Sequence, residues 1–188
     1  MRVLHFSAQP LCDERLMLAA ELRSIADALL PGKVLNRTTL ESVPQARPSD
    51  IDIYLSSNKP HVVHFAMHGT DAGLQLCDAY LESIEYQGSS LASALKDMGV
   101  KLVVLNACES ETVADEIKGE VEVVISTTKK LSDEHAIVFS EVFYRGLQVG
   151  LSIAKAYQSA MDELELISKG SSEFYVLKSR EPGLEKQI

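Results

Sequence analysis

Two short apolar runs share one outline. Pro60-His-Val-Val-His-Phe-Ala-Met-His-Gly69 and Lys101-Leu-Val-Val-Leu-Asn-Ala-Cys-Glu-Ser110 each pass through β-favouring residues and stop abruptly on small and polar ones. Continuous apolar runs of this length predict strands buried on both faces. Residues 2–7 and 121–126 have the same character, and 172–178 predicts a last strand at an edge. Residues 33–39 predict a weaker strand, and 74–76 a brief extended run after the polar loop 69–73.

Between the strands the apolar spacing changes to threes and fours. From Asp13 onward Leu16, Leu18, Ala19, Leu22, Ile25, Ala26 and Leu29 predict an amphipathic helix that ends at Pro31-Gly32. A short helix capped near Ser49 or Asp50 is predicted before Pro60, one at 89–98 stopped by Gly99, and one at 112–118 ending at Gly119. Ser132 is a fair N-cap for a long helix over 133–147, and Ser152 opens another that runs to about Ile167. Strands alternating with helices predict an α/β sandwich, a mostly parallel central sheet with helices on both faces. The reading gives one domain over residues 1–178 and a loose tail over 179–188, with no internal repeat.

Composition narrows the function classes. A chain of 188 residues with 46% hydrophobic positions has enough apolar material for a core, while its longest apolar runs fall far short of the roughly 20 residues that span a bilayer. The first residues enter a strand at once, without the apolar stretch of a signal peptide, so a cytoplasmic location is expected. Three cysteines without paired spacing predict free thiols. A formal charge of −9 without a basic stripe argues against direct nucleic-acid binding. No glycine-rich phosphate loop is present, so no nucleotide cofactor is expected.

The chemistry is expected where the two founding strands end. Cys108 and His68 stand 40 positions apart, each at the carboxyl end of its strand, the edge where open α/β sheets place their active groups. A nucleophilic cysteine requires a base and a pocket of donors for the carbonyl oxygen. His68 supplies the base, and the main-chain N–H groups of Cys108 and Gly69 supply the donors. Gly69 suits the role because no Cβ obstructs its amide. The alternative use of this pair, a metal site from His64, His68 and Cys108, has no metal-ligand spacing behind it, and no metal is expected. His5 and His64 read as satisfied sheet histidines, and Cys12 and Cys77 as inert.

The quoted motifs, with Val-Val-Ile-Ser-Thr-Thr and the helix Asp133-Glu-His-Ala-Ile-Val-Phe-Ser-Glu-Val-Phe-Tyr144 downstream, resemble a CHAT domain. CHAT domains are a caspase-like group among the cysteine peptidases that include caspases, separases and gingipains. The resemblance begins at Leu4 and extends to about Asp162. It implies the three-layer caspase-type sandwich, with His68 as catalytic histidine and Cys108 as nucleophile. It further implies that Asn106 and Asp133 line the substrate pocket, where an acidic Asp133 would favour a basic side chain. Met67 and Glu111 stand where relatives often carry glycine, and Ser126-Thr127 where a glycine is common, so the groove is crowded.

The function these readings imply is a cysteine endopeptidase that cleaves a partner protein in bacterial signalling or defence. A regulatory or sensor protein would come from another chain or from sequence outside this one. The alternative is a caspase-like interaction module that binds a partner without turnover. A third reading, a structural domain with a coincidental Cys/His pair, would require the two side chains to emerge at opposite ends of the sheet.

Overall fold

The computed structural model describes residues 1–70, 72–180 and 187–188. Its strands are β1 (Arg2–Ser7), β2 (Thr39–Val43), β3 (Val62–Ala66), β4 (Gly73–Cys77), β5 (Ser83–Gln87), β6 (Leu102–Asn106), β7 (Val123–Thr127) and β8 (Tyr175–Ser179). Six of them form one sheet in the order β2-β1-β3-β6-β7-β8. All neighbours in it are parallel except β7 and β8, which run antiparallel.

Every residue of β3, β6 and β7 is buried, as the unbroken apolar runs require. Side chains alternate between faces with the period of two that an extended chain imposes. Val63, Phe65, Val103 and Leu105 enter a core covered by α2 (Pro48–Asn58), α3 (Gly88–Leu95) and α4 (Glu111–Ile117). Val62, Leu102, Val104 and Ile125 enter the opposite core, covered by α1 (Leu18–Val34), α5 (Asp133–Gln148) and α6 (Ile153–Ile167). The result is a three-layer α/β sandwich. Phe139 of α5 stacks on Tyr175 of β8 with ring centroids 4.0 Å apart, fixing α5 over the sheet edge beside the site. Burying an aromatic ring of this kind contributes roughly 2–3 kcal/mol.

Several elements depart from the sequence reading. Helix α1 starts at Leu18, not near Asp13, and passes through Pro31 and Gly32 to Val34. Proline in the last turn forfeits one hydrogen bond, but the turn still closes with Leu35 N–H donating to the Pro31 carbonyl at 3.3 Å. Gly32 is needed for proximity: a Cβ there would stand 2.5 Å from Thr38 Oγ1 and 2.3 Å from Gln148 Oε1. The strand predicted over 33–39 is therefore displaced to Thr39–Val43. Helix α2 opens on Pro48, and Asp50 caps it by accepting from the Arg47 N–H at 2.9 Å. The run at 74–76 belongs to β4, which pairs antiparallel with β5 outside the main sheet. Strand β5 went unread because its largely exposed Ser-Ile-Glu-Tyr-Gln carries no core pattern. Strand β8 reaches Ser179, and most of the predicted tail, residues 181–186, lies outside the described residues, as does Asp71 of the polar loop. No described helix is long and apolar enough to cross a membrane.

Candidate active site

The sheet order makes β3 and β6 parallel neighbours, registered Ala66 to Asn106 at their carboxyl ends. The ladder continues one step further, with Met67 N–H donating to the Asn106 carbonyl at 3.4 Å. One residue beyond that step on each strand come His68 and Cys108. Both are half-buried, and both line a cavity of about 270 Å3 together with Glu14, Arg15, Lys130 and Asp133.

The turn that carries Cys108 is tightly held. Glu109, directly after it, adopts φ +53°, a left-handed conformation that costs a residue with a Cβ about 1 kcal/mol or more. Its neighbours offset that strain. Thr127 of β7 donates through Oγ1 to the Ala107 carbonyl, and its N–H donates to Ser110 Oγ at 3.1 Å. Thr127 is buried, so its bulk serves the turn from beneath instead of crowding the groove. The Cys108 thiol accepts from Leu131 N–H at 3.4 Å.

Gly69 packs flat against this turn. A Cβ on it would lie 2.3 Å from the Cys108 carbonyl oxygen and 3.1 Å from the Ala107 Cβ, so only glycine fits. Among the described residues, neither the Gly69 nor the Cys108 N–H donates a hydrogen bond within the protein.

His68 is oriented from the loop that precedes α1. Its Nε2 lies 2.6 Å from the Glu14 carbonyl oxygen. A carbonyl only accepts, so Nε2 carries the hydrogen, and in the neutral ring Nδ1 is left as the basic nitrogen. The same carbonyl accepts from Gln9 Nε2 at 3.1 Å, and Gln9 Oε1 accepts from Leu16 N–H at 2.8 Å. Gln9 thus braces the loop from both sides of its amide. Across the cleft mouth, the Glu14 carboxylate pairs with Lys130 at 2.9 Å, which holds its pKa below the usual value.

The two expected pocket residues occupy different depths. Asp133 is half-buried at the cleft rim as the first residue of α5, whose N-cap Ser132 accepts from His135 N–H at 3.3 Å. Asn106 is 6% exposed, and its amide is turned inward: Nδ2 donates to Glu21 Oε1 at 2.5 Å and to Ser140 Oγ at 3.0 Å, while Oδ1 accepts from the Tyr175 hydroxyl at 2.9 Å. It contributes to the floor of a smaller cavity that shares Cys108, His68 and Asp133 with the outer one.

Glu21 is the centre of that floor. It is 4% exposed, and its Oε1 accepts also from Ser140 at 2.9 Å and from His64 Nε2 at 2.9 Å. These bonds outweigh burial and hold its pKa below the normal carboxylate value. Both nitrogens of His64 are engaged, the second with the Tyr144 hydroxyl at 3.1 Å, so His64 has no lone pair to share with a metal at His68 and Cys108. His5 departs from its predicted satisfaction: Nδ1 meets Ser42 Oγ at 3.2 Å, but Nε2 is buried with no partner among the described residues. Gln9, Glu14 and Glu21 were not singled out from sequence. The first two act on a main-chain carbonyl, which leaves no residue signature, and Glu21 sits unmarked among the periodic positions of α1.

A family model described as CHAT domain matches residues 11–170. Among curated proteins, none matches the sequence. Solved structures similar to this chain include caspase-1 from Spodoptera frugiperda, with a TM-score of 0.67 at 12% identity over 95% of this chain and 85% of that one. The structure titled pro-sf-caspase-1 gives a TM-score of 0.64 at 11% identity, over 95% and 90% of the two chains. The Drosophila initiator caspase Dronc gives 0.60 at 9% identity, over 99% and 81%. At these identities the likeness is one of fold.

Proposed function

This chain belongs to the CHAT domain family and has the caspase-like fold, and from that premise we propose that it is a cysteine endopeptidase working through Cys108 and His68. The observation that carries the reading is the shared register. Thiol and imidazole stand at matching positions past the ends of adjacent parallel strands and line one cleft, with two unengaged main-chain N–H groups beside them.

In the proposed reaction the Cys108 thiol gives its proton to Nδ1 of His68, and the sulfur attacks the carbonyl carbon of a peptide bond. The N–H groups of Gly69 and Cys108 donate to the oxygen as it gains charge, the contribution that a preorganised donor pair makes to the transition state. The C–N bond breaks as His68 returns the proton to the leaving amine. A thioester remains on Cys108, and water hydrolyses it to a free carboxylate and a free thiol, with His68 taking the water's proton. The hydrogen bond from Nε2 to Glu14 holds the ring in the tautomer this sequence requires. No metal or cofactor has a part in it. A partner protein is the substrate, in a bacterial signalling or defence setting, with Asp133 at the cleft rim and Asn106 beneath as pocket residues.

Purified protein is to be tested against a peptide library for cleavage, alongside Cys108→Ala and His68→Ala. Each variant is expected to lose cleavage by at least about a thousandfold, the order that removal of a nucleophile or its base costs such enzymes, with an unchanged circular-dichroism melt. Undiminished cleavage by either variant refutes the mechanism. Specific binding of a partner that neither substitution disturbs, without turnover, supports the interaction module instead.

A further inference from the structure

One buried oxygen gathers four elements of the fold. Glu21 Oε1, in the first turn of α1, accepts from Asn106 Nδ2 of β6 at 2.5 Å, from Ser140 Oγ of α5 at 2.9 Å and from His64 Nε2 of β3 at 2.9 Å. Three donors exceed the two lone pairs of a neutral oxygen, and negative charge is what holds them together. All four side chains are buried. A buried charge is a poor source of stability, because apolar side chains of similar volume serve a core as well or better. Its presence here calls for a reason of position.

Asn106 is where the grip reaches the chemistry. Its side chain is held at both ends, since Oδ1 accepts from the Tyr175 hydroxyl at 2.9 Å, and its main-chain carbonyl accepts from Met67 N–H at 3.4 Å. Met67 immediately precedes His68, and Asn106 stands two residues before Cys108. Whatever fixes Asn106 therefore fixes the step at which both strands give way to the residues that bear imidazole and thiol. Glu21 also sits in the helix turn that follows Glu14, whose carbonyl accepts from His68 Nε2 at 2.6 Å. The clamp thus joins the support of the ring to the support of the thiol.

We propose that Glu21 is a positioning residue for the Cys108 and His68 pair: its charge clamps the Asn106 side chain and so keeps thiol and imidazole within reach of each other. It acts through Asn106 and not on the reacting atoms. The inference rests on the proposed dyad and adds a residue to what supports it. Removing the charge while keeping the shape, as in Glu21→Gln, leaves a neutral oxygen that cannot hold three donors. Exchanging the two groups, with Asn106→Asp added, returns a carboxylate facing an amide across the same contact.

The test is alkylation of Cys108 by iodoacetamide at neutral pH, read by mass spectrometry, in protein carrying Cys12→Ser to remove the exposed thiol. The reagent reacts with thiolate and not with thiol, so its rate reports how closely an imidazole serves the sulfur and needs no substrate. His68→Ala sets the floor, and a parent rate no higher than that floor refutes the dyad and the positioning with it. Glu21→Gln is expected to slow alkylation by about tenfold or more, since small displacements of a working group cost up to about a hundredfold, in protein that still melts cooperatively above the assay temperature. Asn106→Asp alone sets two carboxylates face to face and is expected to slow it at least as much. The double variant is expected to outrun both single ones, a recovery that general loosening of the core does not produce. An unchanged rate in Glu21→Gln, or a double variant no faster than either, overturns the proposal. Should Glu21→Gln fail to fold, Tyr175→Phe, which frees Asn106 Oδ1, decides in its place: slowed alkylation supports the clamp and an unchanged rate overturns it. Slowed alkylation in Glu21→Gln, without cleavage of any peptide by the intact protein, refutes the peptidase reading and leaves the positioning standing. Cleavage by a protein whose alkylation is indifferent to Glu21 does the reverse.

Discussion

His5 makes the stability of the fold fall as the pH drops below 6.5, in a window where His61, lowered first by burial and then by Arg2, acts in the same direction and is common to both proteins compared below. His5 is fully buried on β1, stacked on His64 with centroids 5.3 Å apart, and its Nε2 finds no partner among the described residues. Burial first, and the neighbouring His64 second, lower its pKa from 6.5 to about 3, although Glu21 pulls the other way. Below 6.5 the unfolded chain takes a proton that the folded one refuses, so stability falls as the pH falls. The loss approaches 1.4 kcal/mol per pH unit and continues toward the folded value of about 3. Between pH 7 and 4.5 it sums to roughly 3 kcal/mol. Glu21 has the same sign but enters only below its ordinary value of 4.5, where its folded pKa is lower still. Substitution of His5 by phenylalanine keeps a ring to stack on His64 and removes the titration. It forfeits the Ser42 hydrogen bond, about 1 kcal/mol, and relieves the orphan nitrogen, both at every pH. Urea unfolding of both proteins from pH 7 to 4.5 is the assay. The wild type is expected to lose roughly 3 kcal/mol relative to His5→Phe across that range, and curves that remain parallel refute the reasoning.

Two further substitutions probe the turn at Cys108. Gly69→Ala drives a Cβ to 2.3 Å from the Cys108 carbonyl, where only backbone movement relieves it. It is expected to destabilise by about 1–3 kcal/mol and to reduce peptide cleavage by at least about a hundredfold, the loss that accompanies a misplaced donor, read by thermal melt and by kcat. Thr127→Val preserves shape but leaves the Ala107 carbonyl without its donor, and is expected to cost about 1–3 kcal/mol in urea unfolding. Its cleavage defect is expected in kcat with KM unchanged, because the turn and not the pocket is disturbed.

The sequence was most legible where a single physical demand decides the residue. Strands β3, β6 and β7 are buried on both faces, so their residues had to be apolar throughout, and the parallel order followed from their alternation with helices. Gly69 was identified as free of Cβ obstruction, and the fold adds what a Cβ would strike. The rest was hidden for identifiable reasons. Pro31 reads as a helix stop, yet α1 accommodates it in the last turn, which displaced β2. Strand β5 is held by its backbone pairing with β4 and not by apolar contacts of its own. Glu21 was invisible because the donors that stabilise it come from β3, β6 and α5, residues 43, 85 and 119 positions away.

The ion pair between Glu14 and Lys130 is exposed on both sides, with side chains 70% and 75% accessible. Pairs so open to solvent hold together weakly, and less as salt rises. The loop that orients the imidazole therefore owes its place to the neutral Gln9 amide and not to charge, so added salt is expected to leave the ring where it is.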